Sequence, residues 1–328
     1  MRRRAAARVL AAVLVSGAAV ATAADPAASW PSRPVRLVVP FAPGGATDIV
    51  ARISAQALTD VLGQQFVVDN RSGAAGNIGV EIVAKAQPDG YTLLVGNVST
   101  NAINPTAFRK TLKFEPLKEL APVAMVAVVA NVFVSGTNFP PNTMKELVEY
   151  ARARPGALNY SNPIGAYSHL DMLDFSKKAG IQAVNIPSKG AGASIAGVIA
   201  GEIHFSFLNA ATVTPQIRGG RMKGFATTAA KRLPELPDVP TMAEAGYPGI
   251  GSVNWSAYFA PVRTPPAIVA KLYAALAQGM QRPAVREAFA KANVPLAFSE
   301  SPEAFRRELA AEVERWARII NENAIRFE

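Results

Sequence analysis

Few side chains in this sequence could carry out catalysis or hold a metal ion. It has two histidines, His169 and His204, and no cysteine, so a tetrahedral zinc site would need several carboxylates as well. Ser194 lacks the glycine pair of a nucleophile elbow, because residues 192–196 read Gly-Ala-Ser-Ile-Ala. The phosphate-binding and dinucleotide-binding glycine motifs are also missing. This pattern argues against an enzyme or a metalloprotein, and we expect no cofactor and no metal.

Polar, glycine-containing loops are more frequent, and they follow predicted strands. Backbone N–H groups at the start of a helix are unpaired and carry the positive end of the helix dipole, so they can hold a carboxylate or phosphate without an arginine. In open α/β sheets, ligands bind where parallel strands end. For any single loop, an ordinary tight turn is the alternative. The loops lie at 41–45, 70–76, 96–101, 161–165 and 186–192.

Strand-like and helix-like patterns alternate along most of the chain, which predicts α/β domains with largely parallel sheets. Val35–Val39 reads as a β-branched strand. Long amphipathic helices are predicted in the last third, capped by Thr264 and by Ser301, each of which is followed by proline. The final helix carries an apolar stripe that predicts core packing, formed by Phe305, Leu309, Val313, Trp316 and Ile320.

The first residues have the order of a secretory signal peptide. Arginines at positions 2, 3, 4 and 8 precede an apolar run, Val9–Val20, and the small residues 21–24. The run is too short to cross a bilayer as a helix, which takes ~20 residues. We expect cleavage after Ala23, so that segment 1–23 is a signal peptide and the mature protein is periplasmic.

The charge excess of the chain is modest and scattered. Lys and Arg number 34 against 24 Asp and Glu, a formal net charge of +10, and four of the arginines leave with the signal peptide. No basic run and no interleaved aromatic stripe indicates a nucleic-acid surface, so we expect no nucleic-acid partner. The remaining excess favours anionic ligands.

A set of motifs, spread in order over nearly the whole mature chain, resembles one family. Residues 30–48 read WPSRPVRLVVPFAPGGATD, and Ala51-Arg52 follows. Further matches are NRSGAAGN at 70–77, PDGYTLL at 88–94, SHL at 168–170, KG at 189–190, LPDVPT at 236–241 and EAG at 244–246. These motifs are similar to those of the Bug family, the extracytoplasmic receptors of tripartite tricarboxylate transporters.

The resemblance implies an α/β protein of the type II periplasmic-binding-protein fold, with two lobes joined by two crossover strands. It assigns 24–125 and 257–328 to lobe 1 and 126–256 to lobe 2. The first crossover is expected near Pro122–Val134 and the return near Gly251–Phe259. It also implies a monomeric receptor, not an enzyme, that holds a small organic carboxylate in the cleft between the lobes.

The family's cleft loops correspond to Phe41–Asp48, Asn97–Asn101, Asn162–His169 and Ser188–Ala191 of this chain. The resemblance therefore predicts that the following residues bind the ligand: Phe41, Ala42, Gly44, Gly45, Thr47, Asp48, Asn97, Ser99, Asn101, Asn162, Gly165, Ser168, His169, Ser188, Lys189, Gly190 and Ala191.

Roles within this set follow from residue chemistry. Gly44 and Gly45 let the backbone approach the ligand and supply N–H donors. Asp48, at a helix start, is expected to fix the loop by accepting backbone N–H groups, since it would repel an anion. Phe41 either forms a wall of the cleft or packs into the core. Lys189 either attracts the anion or faces solvent.

Three positions depart from the family pattern. Ala166 stands where the family often has serine or threonine, Ser188 where it has an aromatic residue, and His204 where it usually has aspartate. The missing hydroxyl and ring would leave volume beside the carboxylate, so we expect a preference for larger or partly apolar acids. Alternatively, Phe41 or Tyr167 fills this volume and the pocket keeps the size of a small acid.

Two functions of different class agree with the interpretation of this chain as a carboxylate-binding receptor. The receptor could deliver solute to the membrane permease subunits of a transporter, or it could report its ligand to a membrane sensor kinase. Neighbouring permease genes would favour the first function, and a neighbouring kinase gene the second. A hydrolase built on Ser168 and His169 is disfavoured, because no oriented base or third group is visible.

Overall fold

The structure, a computed structural model, describes residues 27–164, 166–187 and 191–322, and the predicted signal peptide 1–23 lies outside them. The strands are β1 (Val35–Val39), β2 (Phe66–Asn70), β3 (Thr92–Asn97), β4 (Leu120–Gly136), β5 (Leu158–Tyr160), β6 (Ala183–Asn185), β7 (Phe205–Asn209), β8 (Met222–Thr227) and β9 (Val253–Pro261). The helices are α1 (Ala46–Leu62), α2 (Asn77–Ala84), α3 (Asn104–Ala107), α4 (Pro116–Glu119), α5 (Met144–Arg152), α6 (Tyr167–Ala179), α7 (Ala191–Ala200), α8 (Ala210–Arg218), α9 (Pro266–Met280), α10 (Pro283–Lys291) and α11 (Pro302–Glu322).

One half of the sheet forms the first lobe, with the strand order β2-β1-β3-β9-β4. β1 pairs in parallel with β2 and β3, and β3 pairs antiparallel with β9. The β-branched sequence of β1 suits a strand that is covered on both faces. Leu37 and Val39 pack with α1 and α9, while Val38 packs on the other side with α2 and α11.

The other half of the sheet forms the second lobe, with the order β4-β7-β5-β6 and with β8 also paired to β4. β5 pairs in parallel with β6 and β7. Phe133 of β4 lies at the centre of the core, with its ring centroid 5.2 Å from Phe175, 5.4 Å from Phe205 and 4.8 Å from Phe207. Each such aromatic pair adds about 0.5–1.5 kcal/mol beyond the area it buries, so this cluster holds β4 in the second lobe.

The strand β4 belongs to both lobes because it is 17 residues long and changes partners midway. Residues 120–130 pair with β9, and residues 131–136 pair with β7 and β8. The chain returns through the irregular segment 228–252 and then enters β9. The partner change lies between Ala130 and Asn131. The lobe boundaries after residues 125 and 256 stay a prediction, since β4 and β9 run through them unbroken.

The two predicted caps of the C-terminal helices have different outcomes. Ser301 caps α11 as predicted, because its Oγ accepts a hydrogen bond from the Ala304 N–H at 3.0 Å. The Thr264 cap is wrong. Pro265 is the N-cap residue of α9, the second proline, Pro266, opens the helix, and the buried Thr264 Oγ1 has no hydrogen-bond partner. The consecutive prolines move the helix start one residue beyond the reach of Thr264.

The apolar stripe of α11 packs into the first-lobe core, as predicted. Phe305, Leu309, Trp316 and Ile320 are buried in one cluster, and Val313 packs against it. In the part of the chain that the structure describes, no helix has both the length and the apolar character of a membrane span.

A buried carboxyl group, that of Asp171 in α6, ties the second lobe to the first. It accepts hydrogen bonds from the N–H of Ser252 at 2.9 Å and from its Oγ at 2.8 Å. Ser252 directly precedes β9, and its Oγ also receives a hydrogen bond from Arg315 of α11 at 3.2 Å. Burial raises the pKa of Asp171 from 3.8 to about 7, although the Ser252 hydrogen bonds and Arg315 oppose the shift.

This raised pKa predicts a pH-dependent stability. Between about pH 4 and pH 7 the folded state binds a proton at Asp171 that the unfolded chain releases, so this stabilisation is complete below about pH 4 and is lost as pH rises to about 7. We expect the free energy of unfolding of Asp171→Asn to lack this decline. The difference from wild type should change by at most about 1.4 kcal/mol per pH unit in urea titrations across the window.

The control is Asp60→Asn, on α1 and remote from Asp171, where the carboxylate forms an ion pair with Arg282 at 2.9 Å. This variant should follow the wild-type pH dependence. Comparison with variants is needed because burial lowers the pKa of His169 from 6.5 to about 4, which changes stability in the opposite direction over an overlapping range. Parallel curves for Asp171→Asn and wild type would contradict the prediction.

Candidate functional site

The loops after β1, β3, β5 and β7 meet in a cavity of about 660 Å³ between the lobes. These strands are mostly parallel, and their carboxyl ends face the same crevice, as open α/β sheets require. Nine of the predicted ligand-binding residues line the cavity: Phe41, Ala42, Gly44, Gly45, Thr47, Asn97, Ser99, Asn162 and Ser168. That these residues contact a ligand stays a prediction.

The start of α1 presents backbone donors to the cavity. Gly45 is the N-cap residue, with φ −81° and ψ 166°, and no side chain caps the helix. The first-turn N–H groups therefore have no helical partner, and Ala46 and Thr47 of this turn line the cavity. Gly44 has φ +87°, a left-handed conformation that glycine adopts without steric cost.

Asp48 fixes this loop from behind and does not line the cavity, in agreement with the role expected from its chemistry. Its Oδ2 accepts hydrogen bonds from the N–H of Gly44 at 2.9 Å and from Arg52 Nε at 3.0 Å, and its Oδ1 accepts one from Asn70 at 3.0 Å. Burial acts to raise the pKa of Asp48, but these hydrogen bonds outweigh it and lower the pKa below 3.8. The carboxylate is therefore charged and fully occupied with the loop.

Asn97, at the end of β3, connects two parts of the first-lobe wall. Its Nδ2 lies 3.4 Å from Thr47 Oγ1, and its Oδ1 accepts the N–H of Thr100 at 3.2 Å. Asn101 was also predicted to bind the ligand, but its side chain lies behind the cavity wall. Its Oδ1 accepts a hydrogen bond from the Thr100 hydroxyl at 2.7 Å and packs against Gly96. The π-helical turn Ser99–Ile103 produces this difference, since it turns neighbouring side chains to different sides.

His169 does not line the cavity either. Its ring stacks against Tyr160, with centroids 6.2 Å apart and an interplanar angle of 26°, and burial lowers its pKa to about 4. Ser168 does line the cavity, and its Oγ accepts a hydrogen bond from Asn162 Nδ2 at 3.1 Å. His204, which directly precedes β7, lies away from the cavity. Its Nδ1 is hydrogen bonded to Oδ1 of Asn159 in β5, at 2.9 Å.

Four predicted residues lie outside the described residues: Gly165, Ser188, Lys189 and Gly190. Ala191 opens α7, and the next three residues of this helix, Gly192–Ser194, line the cavity from the second lobe.

The sequence analysis did not select several residues that also line the cavity. Asn209 ends β7, so the rule that selected the other strand-end loops could have found it. Asn104 had no such signal, because it lies seven positions after the end of β3 and reaches the cavity through a helical turn. Others lie in segments that the sequence analysis named but are not in the predicted ligand-binding set: Ser72, Gly73 and Gly76 in the loop 70–76, and Tyr167 in Asn162–His169. Ser194, Phe207 and Asn254 also line the cavity.

Tyr167 joins the two lobes at the cavity wall. Its backbone N–H donates to Ser99 Oγ at 3.3 Å, and its hydroxyl donates to Asn131 Oδ1 at 2.8 Å. Asn209 Nδ2 donates both to Asn131 Oδ1, at 2.8 Å, and to the Tyr167 hydroxyl. Burial raises the pKa of Tyr167, which keeps the phenol protonated. These bonds hold the ring in the wall, so it is not free to move into the cavity.

The cavity lining contains no charged side chain among the described residues. Four helices, α1, α2, α6 and α7, nevertheless have their N-termini at the cavity, because residues of their N-caps or first turns line it. Each helix start carries the equivalent of roughly half a positive charge. A cavity with several positive helix ends can hold an anion without a charged side chain in its described lining.

Comparisons with known proteins agree with this geometry. The family described as tripartite tricarboxylate transporter family receptor matches residues 50–325. Protein BugT of Bordetella pertussis is 34% identical over 316 residues, which cover 96% of each chain.

Two solved structures share the fold. Rpa4515 of R. palustris, with adipate, is 34% identical with a TM-score of 0.85 over 90% of this chain and 99% of that one. MatC from Rhodopseudomonas palustris, with bound malate, is 30% identical with a TM-score of 0.82 over 89% of this chain and 100% of that one. The expected two-lobed, α/β periplasmic-binding-protein fold is thereby confirmed. The chain belongs to the Bug family of tripartite tricarboxylate transporter receptors.

Proposed function

We propose that this protein captures a small organic carboxylate in the cavity between its lobes, in the periplasm, and delivers it to the permease subunits of a tripartite transporter. The observation that carries the proposal is a cavity whose described lining has no charged side chain and includes the uncapped starts of α1, α2 and α6. Charge-assisted hydrogen bonds from backbone N–H groups to a carboxylate are stronger than neutral ones, and the helix dipoles add to them.

Relatives of similar sequence support the chemical class of the ligand. Rpa4515 is described with adipate and MatC with malate, and both are small dicarboxylates. The export signal predicted in segment 1–23 agrees with a periplasmic receptor. Delivery to a permease is inferred from the family, whose description names a transporter receptor.

The experiment that tests this function is calorimetric titration with a panel of mono- and dicarboxylates, comparing wild type with Gly45→Val. A Cβ at Gly45 meets no protein atom closer than 4.0 Å, and its φ is ordinary, so valine fits the backbone. A β-branched residue at a helix N-cap costs about 1 kcal/mol of stability, which leaves the fold intact. The added side chain separates the ligand from the N–H donors of α1. The loss of one charge-assisted hydrogen bond predicts roughly 10- to 150-fold weaker binding.

A matched control is Ala284→Val, an exposed alanine in the first turn of α10, remote from the cavity. It should bind as wild type does. Gly192→Val, where the added Cβ also meets no atom within 4 Å, tests the second lobe in the same way. Unchanged affinity in Gly45→Val would remove α1 from the site, and no binding of any carboxylate to wild type would overturn the proposed function.

A second prediction concerns ligand size. Ala166 lines the cavity at the N-cap of α6, and the Tyr167 ring is held in the wall by its hydrogen bonds. Of the two residues that could fill the volume beside a carboxylate, only Phe41 is then left, and the prediction assumes that it stays a wall residue. Larger or partly apolar acids gain roughly 25 cal/mol for each Å² of apolar surface they bury there. We expect them to bind more tightly than aspartate, glutamate or malate, and Ser188→Tyr to remove the preference. Tight binding of those three acids, together with no binding of aromatic acids, would contradict the prediction.

A further inference from the structure

The side chain of Thr228 joins β4 and β9, the two strands that connect the lobes, at the point where they part. Their register ends with Ala130 opposite Val253. The Thr228 hydroxyl then accepts a hydrogen bond from the backbone N–H of Asn131 at 2.9 Å and donates one to the backbone carbonyl of Ser252, directly before β9, at 2.8 Å. One hydroxyl, acting as both donor and acceptor, therefore links the two connecting strands.

Thr228 fits closely between these strands. Its backbone N–H donates to the carbonyl of Asn131 at 2.9 Å, which holds it to β4. On the side of β9 it packs against Gly251, which has φ +91° and where any Cβ would overlap the Thr228 methyl group. Glycine is the residue that permits both this backbone conformation and this close approach. The position of the hydroxyl is thus determined from both strands.

Helix α6 is attached to both connecting strands through one of its faces. Tyr167 and Asp171 are four residues apart and therefore lie on the same side of the helix. The Tyr167 hydroxyl donates to Asn131 Oδ1 of β4 at 2.8 Å. The Asp171 carboxyl accepts the N–H of Ser252 at 2.9 Å and its Oγ at 2.8 Å. Together with Thr228, these contacts close a ring of hydrogen bonds, here called the interlobe ring, that runs from α6 to β4, to β9 and back to α6.

The interlobe ring fixes the direction of a helix start that belongs to the cavity wall. Residues 166–168 at the start of α6 line the cavity, whereas Asn131, Thr228 and Ser252 are not part of its described lining. Hydrogen bonds from backbone N–H groups weaken steeply when donor and acceptor are misaligned. A tilt of α6 would therefore weaken any ligand contact made by its first turn, and the ring opposes such a tilt.

We propose that Thr228 is a positioning residue for ligand binding, because it closes the ring that holds the start of α6 in the arrangement that binds the carboxylate. The inference rests on the proposed function, since it concerns the same ligand site. It predicts that a residue outside the cavity changes the affinity. The physical reason is that a binding arrangement populated only in part lowers the apparent affinity by that fraction.

The test is calorimetric titration of the mature protein with adipate, malate and phenylacetate, comparing wild type with Thr228→Val. Valine keeps the shape of threonine but removes both hydrogen bonds of the hydroxyl. The net worth of two hydrogen bonds predicts roughly 5- to 150-fold weaker binding of each acid that binds wild type. Thr228→Ser keeps the hydroxyl, so it should restore most of the affinity.

A matched control is Thr59→Val, near the end of α1. The Thr59 hydroxyl makes the same two kinds of bond, since it donates to the carbonyl of Ala55 at 2.9 Å and accepts the N–H of Phe66 at 3.1 Å. Thr59 belongs neither to the described cavity lining nor to the interlobe ring. In urea titrations this variant should lose about as much stability as Thr228→Val, yet it should bind the acids as wild type does.

A second variant, Ser252→Ala, opens the ring at another point. It removes the hydroxyl that donates to Asp171 and that accepts a hydrogen bond from Arg315 at 3.2 Å. Its binding should also be weaker, which provides the test if Thr228→Val does not fold. Because an open ring loses little when it is opened again, the double variant should bind about as weakly as the weaker single variant.

The outcomes separate this inference from the proposed function. Carboxylate binding of wild-type strength in folded Thr228→Val, or in Ser252→Ala if the valine variant does not fold, would overturn the inference and leave the proposed function standing. An equal loss of affinity in Thr59→Val, or losses that multiply fully in the double variant, would also overturn it. If no carboxylate binds wild type, the proposed function fails and this inference fails with it.

Discussion

In the proposed function an anion is held by backbone N–H groups, because the described cavity lining offers no charged side chain. Backbone donors cannot follow a ligand as a flexible lysine can, so the loops that carry them must be held in place. Asp48 holds the loop before α1 by accepting the Gly44 N–H, and Asn185 holds the loop before α6 through both backbone groups of Asn162. Residues outside the cavity thus determine its geometry.

The junction between the lobes is likewise held in place by hydrogen bonds between polar groups. β4 changes partners at Asn131, and the side chain of this residue accepts hydrogen bonds from Tyr167 and Asn209, both of which line the cavity. The Tyr167 N–H donates across the cleft to Ser99. A ligand that contacts both lobes therefore acts on a junction of paired polar groups, and it can favour one arrangement of the lobes only by its differential affinity.

Local sequence patterns predicted strands, helices and caps well where residues close together in the sequence determine them. The β-branched run of β1, the stripe of α11 and the Ser301 cap needed only residues a few positions apart, and the structure confirms them. The Thr264 cap failed because two successive prolines competed for the helix start. The short strand β6 and the strand β8 had no strong pattern, since their pairing partners in the sheet define them.

The sequence by itself determined the fold class and most of the loops that line the cavity, because strand ends, glycine turns and helix starts are local features with characteristic residues. The family followed from the resemblance of its motifs to those of known receptors. Only the tertiary structure decided which side chains of those loops face the cavity. Asn101 and His169 face away from the cavity, whereas Asn104 and Asn209 enter it from segments that the motifs did not select. The physical reason is that a side chain's direction depends on partners far along the chain, such as Asn70 for Asp48 and Phe207 for Asn162.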